Sequence, residues 1–167
     1  MRIRPLAEAD LSLIRAWMRD TAEAPAWSDD NLAGIVEAPP AGQRRIRRGW
    51  IAEKGNGTDM TGFVVAASLC IPNIPAECEL EFVFVSPEAR QQGIGRALIQ
   101  AVFAWGRELG SEEVRLEVRE SNMRALRLYQ RCGFTIVGRR PGYYADPPED
   151  AVLMRARIER GPADAPV

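Results

Sequence analysis

Between Gly49 and Val85 the chain carries three apolar runs rich in β-branched and aromatic residues, GWIAE, TGFVVAASLCI and CELEFVFV, separated by GNGTD and PNIPAE. Runs bounded by such turn formers read as three consecutive antiparallel strands. The two prolines of IPNIPA fit a connection and not a strand centre. Directly after Val85 the apolar spacing lengthens to that of a helix, with Leu98, Val102, Trp105 and Leu109 on one face and Gly110 as its C-cap. A half-buried meander running straight into an amphipathic helix has to pack the two together, so the chain is of the α/β (α+β) class.

The flanks extend this pattern. RIRPL reads as a short strand, and ADLSLIRAWMRD puts Leu11, Ile14, Trp17 and Met18 on one helical face. SDDNLAGIV offers Ser28 as a cap with acidic first-turn residues, and Pro39 and Pro40 are expected to end that helix. From Ala38 to Arg48 the expectation is a loop. Its arginines Arg44, Arg45, Arg47 and Arg48 read first as a solvated turn, with contact to RNA or an acidic partner as the alternative. VRLEV, residues 114–118, is a fifth strand, and MRALRLYQRCGF is a helix stopped by Gly133. TIVGR and AVLMRARI then form two last strands around a loop, PGYYADPPED. Residues 1–158 are expected to form one domain and 159–167 a frayed tail, with no internal repeat.

Composition removes whole classes of chemistry. The 167 residues contain no histidine, which excludes an unassisted Ser-His-Asp triad, a Cys-His pair, an HExxH metal helix and a histidine base. Lys54 is the single lysine, so proton transfer falls to carboxylates, tyrosines and thiols. Cys70, Cys78 and Cys132 lack metal spacing, and no metal is expected; a Cys70–Cys78 disulfide is the minor alternative to free thiols. A net charge of −1 and the absence of any long apolar stretch point to a cytoplasmic protein that binds neither membrane nor nucleic acid globally.

The stretch SPEARQQGIGRALIQ joins the last meander strand to the helix. A glycine turn entering a helix presents unpaired N–H groups at the positive end of the helix dipole, a natural seat for phosphate. Arg90-x-x-Gly93-x-Gly95 has Leu98 where a Rossmann fingerprint needs glycine, and it lacks the Gly-Lys-Ser/Thr of a P-loop. On its own the turn reads first as structural, with Gly93 capping the helix or permitting tight strand–helix packing.

VFVSPEARQQGIGRALIQ resembles the acetyl-coenzyme A signature of the GCN5-related N-acetyltransferase (GNAT) family, and the order of elements is similar across nearly the whole chain. LEVRESNMRALRLYQRCGF, with Glu117, Asn122 and Tyr129, and GYYADPPEDAVLM resemble the ribosomal-protein-alanine N-acetyltransferases of that family. APAWSDDNL is similar to their Pro-Trp-Ser region, although Ala26 intervenes. The resemblance implies a mixed sheet of about seven strands, splayed between the fourth and fifth, flanked by about four helices.

It also implies that acetyl-CoA is the co-substrate. The amides of Gln91, Gln92, Gly93, Ile94, Gly95 and Arg96 would wrap its pyrophosphate, with Arg90 and Arg96 adding charge. Its pantetheine arm would lie along residues 81–85, where an N–H near Val83, Phe84 or Val85 polarises the thioester carbonyl. Asn122 would contact the pantetheine or cap its helix, or both. Glu117 would be the base and Tyr129 the acid, whereas alternation alone makes Glu117 a surface carboxylate and Tyr129 a core tyrosine. Glu81 is the reserve base. Phe82 and Phe84 depart from the smaller residues of the alanine-specific group and would narrow the acceptor channel. Tyr143 and Tyr144 would line that channel or serve as packing anchors.

The acceptor implied is the N-terminal amine of a peptide or protein, such as an alanine of a small-subunit ribosomal protein. Small-molecule amines, polyamines and aminoglycosides are the alternative, and a silent acyl-CoA sensor is a third. Monomer and homodimer both remain open.

Overall fold

The computed structural model describes residues 1–21, 24–25, 27–37, 42, 44–55 and 59–159. Seven strands form one mixed sheet in the order β1-β2-β3-β4-β5-β7-β6. They are β1 (Arg2–Pro5), β2 (Arg45–Lys54), β3 (Asp59–Leu69), β4 (Glu77–Val85), β5 (Glu113–Arg119), β6 (Thr135–Ala145) and β7 (Pro148–Arg157). Four helices flank it: α1 (Leu11–Arg19), α2 (Asp29–Ala33), α3 (Ile94–Glu108) and α4 (Met123–Arg131). Among the described residues no helix is long and apolar enough to cross a membrane.

All neighbours pair antiparallel except β4 and β5, which run parallel and are in register only at Cys78↔Val114 and Glu79↔Arg115. Beyond that point the two strands splay, as the family resemblance implies. The crossover that makes a parallel pair possible is α3.

Each face of the sheet has its own core. On one face α3 and α4 pack Leu98, Val102, Leu126 and Tyr129 onto Val64, Leu80, Val114, Leu116 and Met154. On the other, α1 and α2 bring Leu11, Ile14 and Leu32 against Ile51, Phe63, Val65 and Phe84. A bulge in β4 decides which residue serves which core. Val65 pairs with Phe82 but Ala66 pairs with Leu80, so Glu81 is the extra residue. Cys78 and Leu80 face α3, and after the bulge Phe82 and Phe84 face α1.

The bulge thus settles which face carries the two phenylalanines. They join Phe63 and Trp17 in an aromatic cluster, with the Phe63 centroid 5.7 Å from Phe82 and 5.9 Å from Phe84, and Phe84 is buried. Gly62, opposite Val85, marks the close approach of β3 to β4, since a Cβ there would stand 2.5 Å from the Phe84 carbonyl oxygen.

Three boundaries differ from the sequence reading. Arg45, Arg47 and Arg48 belong to β2 and pair with Leu69, Ala67 and Ala66, so the expected loop ends at Arg44. The reason lies two strands away: Glu79 and Glu81 of β4 neutralise Arg45 and Arg47, which lets an arginine-rich segment enter a sheet. Residues 38–41 and 43 lie outside the described residues. α2 stops at Ala33, with Gly34 as its C-cap, well before the prolines.

PGYYADPPED is not an open loop either. β6 runs to Ala145 and β7 starts at Pro148, with Pro141 and Gly142 absorbed by a register shift between Arg140↔Ala151 and Tyr144↔Glu149. The cysteines are free thiols, and burial pushes that of Cys78 up to about 12. Of the expected tail only Glu159 is among the described residues.

Candidate active site

The glycine turn is built as its sequence suggests, and its two glycines do different work. Gly93 is the N-cap of α3 with φ 79°, and Gln91 before it also takes a positive φ of 61°. A Cβ on Gly93 would meet nothing, so its requirement is conformational. Gly95 is there for packing, since its Cβ would lie 2.9 Å from Cδ2 of Leu128 in α4. The first helical bond runs from Ala97 N–H to the Gly93 carbonyl at 3.0 Å, so the N–H groups of Ile94, Gly95 and Arg96 precede the ladder.

Arg90 braces the turn: its Nε donates to the Val85 carbonyl at 3.1 Å, fixing the turn to the end of β4. Gln92 donates to the Glu88 carbonyl and pairs with Lys54, which ties the turn to β2. The β5-facing edge of β4 beyond Glu79 pairs with no strand among the described residues, and Val83, Phe84 and Val85 lie on that stretch. A cradle of helix-start amides beside an open strand edge suits an anionic head followed by an amide-bearing arm. The residues present therefore fit coenzyme A. Asn122 caps α4, accepting from Ala125 N–H at 3.1 Å through its side-chain oxygen. Its amide NH₂ is chemically suited to a carbonyl of that arm.

Glu117 lies on β5 with its side chain on the face opposite Leu116 and Val118, away from α3 and α4. Arg140 of β6 contacts its carboxylate at 2.9 Å, and the nearby Glu117 carboxylate raises the Tyr143 pKa. The Arg140 guanidinium also lies 4.9 Å from the Tyr143 ring centroid. Below Glu117 an open trough of about 480 Å³ continues across the sheet, with Ala67, Leu69, Val137 and Leu153 as apolar lining. A larger depression, about 830 Å³, lies at the far end where α3 stops and β5 begins, near Gly110, Ser111 and Arg157.

Tyr129 approaches from the other side of the sheet. Its side chain is buried against Phe134, ring centroids 5.7 Å apart, and burial raises its pKa, with Tyr144 as a further electrostatic neighbour. The unperturbed phenol already falls ~2 kcal/mol short of transferring its proton to a thiolate, and burial widens the gap. What the site offers there is a permanently protonated hydrogen-bond donor. Desolvation raises the pKa of Tyr144, which has Tyr143 and Glu117 among its electrostatic neighbours.

Glu81 sits differently from a free base. Arg45 contacts one of its oxygens at 2.9 Å and Arg47 the other at 2.7 Å, and Arg47 also stacks 4.6 Å from the Trp27 ring centroid. Two residues that sequence reasoning passed over shape the site: Arg140, and Arg119, which holds the β6–β7 turn. The alternation of Arg115, Glu117 and Arg119 along β5 was the available signal, because it placed both charges on one face. Among the described residues no group of three or more His, Cys, Asp or Glu is arranged to hold a metal.

A model of the acetyltransferase (GNAT) family matches residues 5–134. The chain belongs to the GNAT family. This GNAT chain is 41% identical over 89 residues to an N-alpha-acetyltransferase of Sulfurisphaera tokodaii, covering 53% of each protein. It is 38% identical over 84 residues to the ribosomal protein bS18-alanine N-acetyltransferase of Escherichia coli, covering 49% of this chain and 57% of that one. The GNAT chain thus spans about half the length of these curated relatives, and 23% of an uncharacterized Mycobacterium leprae protein that is 40% identical over 85 residues.

Among solved structures, the Escherichia coli ribosomal-protein-S18-alanine N-acetyltransferase superposes with a TM-score of 0.69 at 27% identity, covering 99% of both chains. Arabidopsis thaliana NAA60, solved with a bisubstrate analogue, reaches 0.79 at 21% identity over 95% of this chain and 99% of that one, a likeness of fold.

Proposed function

We propose that the protein transfers an acetyl group from acetyl-CoA to the N-terminal α-amine of a peptide or protein by direct attack. The observation that supports this reading is the splay of β4 from β5 after Glu79↔Arg115, with Glu117 of β5 just beyond it on the open face and Tyr129 buried against the opposite face of the sheet. Acetyl-CoA supplies the activated thioester; the chain supplies the binding groups and proton acceptors around it.

Glu117 takes a proton from the incoming ammonium and passes it to solvent. The nitrogen then forms its bond to the acetyl carbon, the C–S bond breaks, and the nitrogen loses a second proton as the sulfur gains one. One proton is released overall. A backbone N–H at Val83 to Val85 polarises the carbonyl, and the Tyr129 hydroxyl stabilises the departing sulfur by hydrogen bonding. An α-amine, with pKa near ~8 against ~10.4 for lysine, is about a tenth neutral at pH 7, so a solvent-connected carboxylate suffices.

The trough beneath Glu117 supports a peptide over a polycation. Arg45, Arg115, Arg140 and Arg155 line it together with Glu77, Glu79, Glu113 and Glu117, four charges of each sign. A polyamine or aminoglycoside site would carry a surplus of carboxylates, whereas a charge-balanced groove with an apolar floor accepts an extended chain. An N-terminal alanine, the acceptor named for the Escherichia coli relative, is the first to try, and a small-subunit ribosomal protein is a partner in keeping with it. Steady-state acetylation of short peptides differing in their first residue, beside spermidine and an aminoglycoside, tests the proposal. Preference for a free amine over every peptide overturns it.

A further inference from the structure

We infer that Arg140 is a specificity-determining gate: it occupies Glu117 in the resting protein, and the acceptor's ammonium enters by exchanging with its guanidinium. The inference rests on the proposed use of Glu117 as the proton acceptor.

Three features of β6 carry it. In a regular strand Arg140 and Tyr143, an odd number of positions apart, would point to opposite faces. Here β6 advances four positions, from Arg140 to Tyr144, while its partner β7 advances two, from Ala151 to Glu149, and Gly142 takes a φ of 59°. The extra residues bring both side chains to one place, Arg140 at 2.9 Å from the Glu117 carboxylate and the Tyr143 ring centroid 4.9 Å from the same guanidinium. The pair is also unequal in exposure, with the Arg140 side chain 53% accessible and that of Glu117 22%. A guanidinium held from the solvent side is easily displaced, because an exposed ion pair is weak. Finally, Arg140 has a resting place after exchange: its guanidinium already lies 4.9 Å from the Tyr143 ring centroid, so it need only give up Glu117 and can stay on the ring.

The exchange has a recognisable consequence. One cation leaves Glu117 as another arrives, so the number of ion pairs is conserved and acceptor binding depends little on salt. Without Arg140 the ammonium meets a bare carboxylate, and its attraction is screened as salt rises. A neutral or acylated N-terminus cannot take the place of the guanidinium, so the gate selects for a free ammonium.

The experiment is acetylation kinetics of an alanine-first peptide by the wild type, Arg140→Ala and Arg140→Lys across a salt series, with peptide affinity by calorimetry in the Glu117→Gln background. The expected result is an acceptor KM about threefold lower in Arg140→Ala at low salt, rising with salt toward the wild-type value, while the wild-type KM stays flat. Arg140→Lys keeps the flat profile. In the Glu117→Gln background, replacing Arg140 leaves peptide affinity unmoved. An Arg140→Ala KM equal to or above that of the wild type at low salt, with the wild type active, overturns the gate alone. A wild type that acetylates no peptide overturns the proposed function and the gate with it.

Discussion

The guanidinium of Arg119 lies 4.1 Å from the ring centroid of Tyr144 and donates at once to the carbonyls of Asp146 and Pro147, at 2.8 and 3.2 Å. It also reaches Glu149 at 3.3 Å, which in turn accepts the Ser121 N–H. The end of β5, the start of α4 and the β6–β7 turn are therefore held by one side chain, and Tyr144 is held with them. Arg119→Ala is expected to raise the acceptor KM about tenfold, equivalent to ~1.4 kcal/mol, and to lower the melting temperature by several degrees. Arg119→Lys restores little, because an ammonium cannot stack on the ring while bridging two carbonyls. Kinetics with thermal unfolding of both variants decide it; an unchanged KM in Arg119→Ala removes Tyr144 from the acceptor site.

Tyr129→Phe should lower turnover at least tenfold while leaving acetyl-CoA affinity near the wild-type value, if the hydroxyl acts as proposed on the departing sulfur and not in the cradle. Stability provides an independent check. Burial raises the Tyr129 pKa, so the folded phenol stays protonated while the unfolded one ionises near pH ~10. Its contribution is fully present below that pH and is lost as pH rises toward the folded pKa, with a slope of up to ~1.4 kcal/mol per pH unit. Urea unfolding between pH 8 and pH 11, roughly the range set by these values, should show a shallower alkaline decline in Tyr129→Phe. Identical slopes would mean that the phenol is not buried in solution.

The two carboxylates proposed for the base separate cleanly. Glu117→Gln should depress activity by roughly a hundredfold near neutral pH, with partial recovery at alkaline pH where the acceptor amine is already neutral. Glu81→Gln breaks contacts to Arg45 and Arg47 instead, so its effect is a loss of ~1–3 kcal/mol in denaturant unfolding with turnover well above that of Glu117→Gln. The reverse order of activities would make Glu81 the base.

Gly93→Ala puts a Cβ into open space at φ 79°, so it brings only the ~1–2 kcal/mol strain of the left-handed conformation. Because that strain is relieved by moving the helix-start amides, acetyl-CoA affinity should fall several-fold, as measured by calorimetry. Gly95→Ala meets the flexible end of Leu128 and should affect stability more than affinity.

Much of this architecture was readable along the chain. The meander and the α3 period follow from local spacing, and Gly110, read as the helix cap, takes a left-handed φ of 74° just after the C-cap Leu109. What misled was equally physical. The segment through Arg48 looked like a loop because the four arginines among positions 44–48 repel one another in isolation, and the carboxylates that neutralise Arg45 and Arg47, Glu79 and Glu81, come from β4, more than thirty residues later. Strict alternation would put Phe82 and Phe84 on the α3 face with Leu80, and only the bulge at Glu81, invisible in the sequence, turns them toward α1.

The sequence alone determined the class of chemistry, since a chain without histidine and with one lysine has only carboxylates, thiols and phenols to move protons, and it determined the glycine turn at the start of α3. Those are properties of composition and of neighbours along the backbone. Only the tertiary structure decided that Glu117 has the Arg140 guanidinium as partner, that Glu81 is already bound by Arg45 and Arg47, and that Arg119 lies on the Tyr144 ring. Each of those depends on register between strands distant in sequence, where a shift of one residue sends every side chain to the opposite face.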